Sequence, residues 1–256
     1  MIGHTKAYET YRGQSQAHLD FYVLVATAVP NMERLVHDSA SQLAPAHYFK
    51  TAHQDKRRLI GLAARYEKEI AALSVVALYS YFEAYVKSTI QEVIDFHGGA
   101  YSFARRATSR ASRFLDSVDA SLFLHKRKLQ EYPKSGKSQK YRKHSSSLGE
   151  MGFRFPSELL APYGVALLIS KADEKRGLRA WEIPTVLQSG LLLQLSKSEA
   201  DRLENVRTLR NEIAHGKKVR IRTRGAMAIA KDLHAIAARI DRHVVEHFLV
   251  LEEFAR

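Results

Sequence analysis

Arg207, Asn211 and His215 follow one another four residues apart, with Arg210 one place before Asn211. On a helix the first three project in one row, and Arg210 lies about a quarter turn round from Asn211. The histidine brings a base with an ordinary pKa of about 6.5, while a guanidinium and an amide beside it can hold a phosphate through paired hydrogen bonds. These are the groups that RNA cleavage without a metal needs. An imidazole takes the proton of a ribose 2′-OH, the arginine neutralises charge gathering on the phosphoryl oxygens, and the amide orients one of the reacting groups.

Such a row needs a helix to present it. Ser198-Glu199-Ala200-Asp201 has the pattern of a capping box, in which a hydroxyl and a later carboxylate satisfy the free N–H groups of a first turn. Leu203, Val206, Leu209 and Ile213 then recur at spacings of three and four and form one apolar stripe. Gly216 is a natural stop because it takes the left-handed conformation that closes a helix, and Lys217 and Lys218 stand where the helix dipole favours a cation.

The run Leu209-Arg210-Asn211-Glu212-Ile213-Ala214-His215-Gly216 resembles the signature of the HEPN superfamily, in which an Arg, usually with a polar residue after it, precedes a His by a few positions. The likeness extends to the larger bacterial group related to RiboL and PSP proteins, whose early apolar helix carries a Glu; Tyr81-Phe82-Glu83-Ala84-Tyr85 supplies one here. The resemblance implies an all-α helical bundle and a metal-independent endoribonuclease without cofactor, leaving 2′,3′-cyclic phosphate and 5′-OH ends. It assigns His215 as base or acid, Arg210 as phosphate clamp and Asn211 as orienter, with Glu83 and Arg207 in support. One histidine is too little for proton transfer at both ends of the reaction, so a homodimer with a composite site is expected. A toxin or antiphage role, with an antitoxin or defence-system protein as partner, is also what the family implies. Some members look inactive, and the alternative is a non-catalytic module that binds RNA or a partner.

The chain of 256 residues is 45% hydrophobic, enough for a full core, and one domain spanning 1–256 with a basic insertion at 101–150 is expected. No run reaches the roughly 18 apolar residues of a membrane span and no charged-then-apolar leader opens the chain, which points to a cytoplasmic protein. The absence of cysteine fits that compartment and excludes disulfides, thiolate nucleophiles and cysteine metal sites. A net charge of +13 points to polyanions, RNA first among them, as partners. Between Tyr101 and Glu150 twelve Lys and Arg, Arg127 and Lys128 among them, stand against four acids. A second cluster, Lys217, Lys218, Arg220, Arg222 and Arg224, alternates with apolar residues just past His215 and reads as an extended RNA-binding stretch.

Along the chain, the residues to about Ser15 read as a loosely held arm. Gln16 to Ser39 is helical, kinked or split at Pro30. A pattern from about Asp55 to His97 is broken only by Gly61, and its second half is apolar nearly all round, as for a helix surrounded by protein. Glu83 lies within that apolar surface, and a buried carboxylate needs a partner: Arg207 or Arg210 on one reading, a purely structural ion pair or solvent on the other. His97-Gly98-Gly99 ends that helix; basic helices and a Ser-Lys-Gly loop follow. Helices are expected from Phe155 to Ile169, from Trp181 through the leucines to Leu195, and from Ala226 to Phe254. Lys134 to Ser138 lacks the spacing of a phosphate loop. No short two-helix unit of the DNA-recognition type is present. His234, His243 and His247 have no carboxylate at ligand spacing, so a surface pair is favoured over a metal site.

Overall fold

The computed structural model describes residues 3–37, 56–106, 124–125, 127, 143–144, 147, 150, 162–173 and 177–250. The architecture is all-α, as expected: α1 (Lys6–His37), α2 (Lys56–Ala63), α3 (Tyr66–Phe96), α4 (Pro162–Ala172), an irregular helix α5 over residues 180–190, α6 (Lys197–Ala214) and α7 (Thr223–His247). Residues 100–106 are also helical. Most of the expected insertion at 101–150, Lys128 included, lies outside the described residues, as do 155–161 and 251–254; Arg127 is described and exposed.

The bundle is built round α3, which packs against α1, α4, α6 and α7. Phe82, Val86, Ile90 and Val93 are fully buried along it and meet Leu168 of α4, Val186 and Leu187 of α5, Leu203 of α6, and Leu233, Ile240 and Val244 of α7. By length and composition α3 alone among the described helices is apolar enough to cross a membrane. Its burial by its neighbours accounts for that composition, although Leu73 is 64% exposed. At its C-terminus Gly98 takes φ +83°, and the N–H groups of Gly98 and Gly99 return to the carbonyls of Asp95 and Ile94, so the expected glycine stop is present.

The N-terminal arm is a correction. Residues 6–15 are helical, and Ala7, Tyr8, Tyr11 and Ser15 are buried on the face that continues to Tyr22. The aromatic residues carry the period that sparse aliphatic residues obscured. Three polar groups hold this start. Thr5 Oγ1 accepts from the Tyr8 N–H (3.0 Å), the Glu92 carboxylate of α3 accepts from the N–H groups of Lys6 and Ala7 (both 3.0 Å), and the buried Asp241 of α7 accepts from the Thr5 N–H (2.9 Å) and hydroxyl (2.7 Å). His4 Nδ1 completes the set, 2.6 Å from Asp241 Oδ2.

Other boundaries moved less. The helix is continuous through Pro30, so α1 is not split. The long pattern from Asp55 divides at Ala64-Arg65 into α2 and α3. The last helix starts at Thr223 rather than Ala226, and its buried face is Leu233, Ile236, Ile240 and Val244, with Ile229 half-buried.

Asp241→Ala strands two buried donors of Thr5 and is expected to cost about 3 kcal/mol, lowering the melting temperature by roughly 5–10 °C. Asp241→Asn, which keeps an acceptor, should lose about half as much in the same thermal denaturation.

Candidate active site on the sixth helix

The helix that carries the motif is framed at both ends by local chemistry. Its N-cap is Ser196, two residues before the position expected: Ser196 Oγ accepts from the Glu199 N–H (3.2 Å), and Glu199 Oε2 accepts from the Ser196 N–H (2.8 Å). Both serines of Ser-Lys-Ser-Glu have an acid three places on, Glu199 for Ser196 and Asp201 for Ser198, and only the first has the longer glutamate side chain of a capping box. Ser198 instead accepts from Arg202 Nη2 at 3.1 Å. Glu199 also binds Arg239, and Arg202 binds Asp232 at 2.8 Å, so the first half of α6 is fastened to α7. The carboxyl of Glu199 lies below its ordinary pKa: burial opposes this, but the bonds from Arg239 and Ser196 prevail.

At the other end Gly216 takes φ +74°, and the N–H groups of Gly216 and Lys217 return to the carbonyls of Ile213 and Glu212. The expected stop is therefore a Schellman turn. His215 is the C-cap residue, its N–H donating to the Asn211 carbonyl (3.0 Å), and its ring is exposed with no hydrogen bond or ion pair among the described residues. No described residue covers it.

The structure brings Glu83, Arg210 and Asn211 together. Arg210 Nη2 lies 3.6 Å from Glu83 Oε2 across the α3–α6 interface, and Arg210 Nη1 donates to Asn211 Oδ1 (3.1 Å). Of the two partners open to Glu83, Arg210 is the one present. The Nε–H of Arg210 is buried without a hydrogen-bond partner among the described residues. Burial raises the pKa of Glu83, and Arg210 only partly offsets the rise.

Arg207 does not reach Glu83. Its Nε donates to Glu204 Oε2 at 2.9 Å and its Nη2 to Glu204 Oε1, which raises the pKa of Arg207 and lowers that of Glu204. Tyr79, absent from the sequence-based candidates, belongs to this cluster. It is buried one turn before Glu83, and its hydroxyl is driven far above the ordinary value, first by burial and then by Glu83, against Arg207 and Arg210. Its place four residues before Glu83 was the available signal.

Beyond the Schellman turn, residues 217–222 form an irregular strap. The expected alternation is present: Val219 is half-buried and Ile221 buried against Ala71 and Val75, while Lys217, Lys218, Arg220 and Arg222 are exposed. The extended reading fails at its end, because Thr223 and Arg224 are already in α7. Lys217 pairs with Glu212 at 3.4 Å. Arg222 and Arg224 stand at the N-terminus of α7, where the helix dipole disfavours cations, an arrangement that an incoming anion relieves.

One histidine of α7 has a structural role. His243 Nε2 lies 2.7 Å from the Leu191 carbonyl, and burial lowers its pKa to about 4. It is an internal anchor rather than half of a surface pair, although its ring contacts His247 (centroids 4.7 Å apart). Among the described residues no three His, Cys, Asp or Glu side chains cluster as metal ligands.

Two stability measurements test this frame. Ser196→Ala is expected to cost about 1 kcal/mol and Ser198→Ala less than about 0.5, read from denaturant midpoints. Glu83 holds its proton more tightly folded than unfolded, so its contribution to stability falls as pH rises from the ordinary value near 4.5 towards the raised folded one. Glu83→Gln should remove that slope, so that the melting temperature of the variant gains on the parent's as pH rises through this window.

A family model described as RiboL-PSP-HEPN matches residues 47–246, more than three quarters of the chain. No curated protein and no solved structure matches it.

Proposed function

The chain belongs to the RiboL-PSP-HEPN family, and from that premise we propose that it is a metal-independent endoribonuclease whose active site is Arg210, Asn211 and His215. The observation that supports this reading is that Arg210, braced by Glu83 and Asn211, shares helix α6 with an exposed imidazole at its C-terminal end.

In the reaction, His215 takes the proton of a ribose 2′-OH as its oxygen attacks the adjacent phosphorus. The P–O5′ bond breaks, the 5′ oxygen leaves with a proton from a second acid, and the products carry a 2′,3′-cyclic phosphate and a 5′-OH. Arg210 neutralises the charge that builds on the non-bridging oxygens, and Asn211 holds the guanidinium through its side-chain carbonyl. The second acid is His215 of a partner copy, so the working enzyme is a homodimer with a composite site. Glu83 and Tyr79 act through Arg210, and Arg207 stands in reserve on Glu204. The exposed cations Lys217, Lys218, Arg220 and Arg222 of the strap and Arg224 of α7 bind the RNA backbone, joined by Arg127 and Lys128 of the insertion. A cytoplasmic toxin or antiphage effector, restrained by an antitoxin or defence-system protein, is the biological setting that this chemistry suits.

Incubating the protein and its His215→Ala form with total RNA in EDTA tests the proposal. The expected outcome is cleavage by the parent alone, with 2′,3′-cyclic phosphate ends and a loss of about 10²–10⁴-fold in rate on substitution. Full cleavage by His215→Ala would sink it. Salt-sensitive RNA binding without cleavage by either form, with or without added divalent metal, would favour a non-catalytic RNA-binding module.

A further inference from the structure

A second concave surface lies between the first half of α1 and α7. It is a groove of about 1480 Å³ with Leu78 of α3 in its floor and Leu19, Met227 and Ala230 among its apolar lining residues. Pockets for single small ligands span about 300–1,000 Å³, so this groove has the capacity for a short length of polymer. Its planar groups are clustered. The buried ring of Tyr8 has His4 at 5.2 Å and His234 at 6.1 Å between centroids, and the Arg12 guanidinium at 5.9 Å from its own centroid; His4, Arg12 and His234 are exposed. Asp241 occupies Nδ1 of His4, which leaves the Nε2 edge of that ring for a ligand.

We propose that this groove receives the unpaired bases of single-stranded RNA, continuing the track that begins at His215 and the basic strap. The identity of the polymer rests on the ribonuclease reading; the preference for single strands rests on the groove. Exposed imidazole and guanidinium planes are surfaces on which bases stack, and a base can stack there only when it has left a duplex. Charge divides the work. In the groove Arg12, Lys231 and Arg242 face Glu9 and Glu246, while the charge of Asp241 is already met by Thr5 and His4, so the balance is close to neutral. The strap is strongly cationic and suits phosphates. The two surfaces adjoin, because the Tyr22 hydroxyl donates to Thr223 Oγ1 (2.8 Å) at the start of α7, just before Met227 enters the groove lining. The eight residues from His215 to Thr223 reach at most about 28 Å.

The test uses the full chain carrying His215→Ala, so that RNA is not consumed, and reads fluorescence anisotropy of a labelled 16-nucleotide unstructured RNA and of the same strand annealed to its complement, across a salt series. The single strand is expected to bind at least about tenfold more tightly than the duplex. Arg12→Ala combined with His234→Ala, both at exposed positions, should weaken single-strand binding about tenfold, the loss of roughly one stacked base. It should leave duplex binding, the circular dichroism spectrum and the melting temperature unchanged. Lys218→Ala with Arg222→Ala should weaken both RNAs and reduce the single-strand salt slope by about 1.4, for two lost phosphate contacts. Unaltered single-strand affinity in the groove variant, or an equal loss on the duplex, would overturn the groove. Cleavage by the protein that keeps His215 is scored separately: groove-dependent binding without cleavage removes the ribonuclease and keeps the groove, and cleavage with an indifferent groove variant does the reverse.

Discussion

Glu83 sits on the most deeply packed helix of the bundle with its carboxylate partly withdrawn from water, and that position is tolerable only with a cation opposite. Arg210 supplies the cation from α6. The pair therefore couples the core to the motif: α3 cannot pack α6 against itself in this register without bringing the guanidinium to the carboxylate. Burial still outweighs the attraction, so Glu83 is held above its ordinary pKa. Retaining such a pair at an interface that Leu203 and Val206 already secure is consistent with a role in orienting Arg210.

The end of α6 follows a different logic. The Schellman turn at Gly216 reverses the chain immediately after His215, leaving the imidazole in solvent, and turns Val219 and Ile221 inward so that the cations of the strap point out. Helix α7 then begins with Arg222 and Arg224 where its dipole is least favourable to them. A frame that is otherwise locally consistent, with a capping box at one end of α6 and ion pairs to α7 along it, departs from the local rules at the residues proposed to meet the RNA backbone.

Much of the candidate site was legible because its geometry is local. Arg210, Asn211 and His215 lie within two turns of one helix, and the apolar stripe, the glycine stop and the basic alternation after it are all set by near neighbours in the chain. The errors share a cause as well. The N-terminal arm reads as irregular because its helix is held by Glu92 and Asp241, carboxylates far away in the chain, and because its buried residues are tyrosines and small side chains rather than aliphatic ones. The cap was misplaced by two residues because a serine pair offers two frames and only the side-chain geometry chooses. His243 was taken for a surface residue because the Leu191 carbonyl that anchors it belongs to another element.

The sequence by itself determined the all-α class, the motif helix with its stop, the exposed basic run and the family resemblance, since periodicity, capping and spacing act over a few residues. Tertiary structure alone decided that Glu83 meets Arg210 and not Arg207, that Arg207 is held by Glu204, that Tyr79 joins the cluster, and that α1 and α7 enclose a groove. Each of these depends on the axial register and rotation of one helix against another. A shift of one residue on α6 turns a side chain through about 100°, and only the summed packing of the core fixes that rotation.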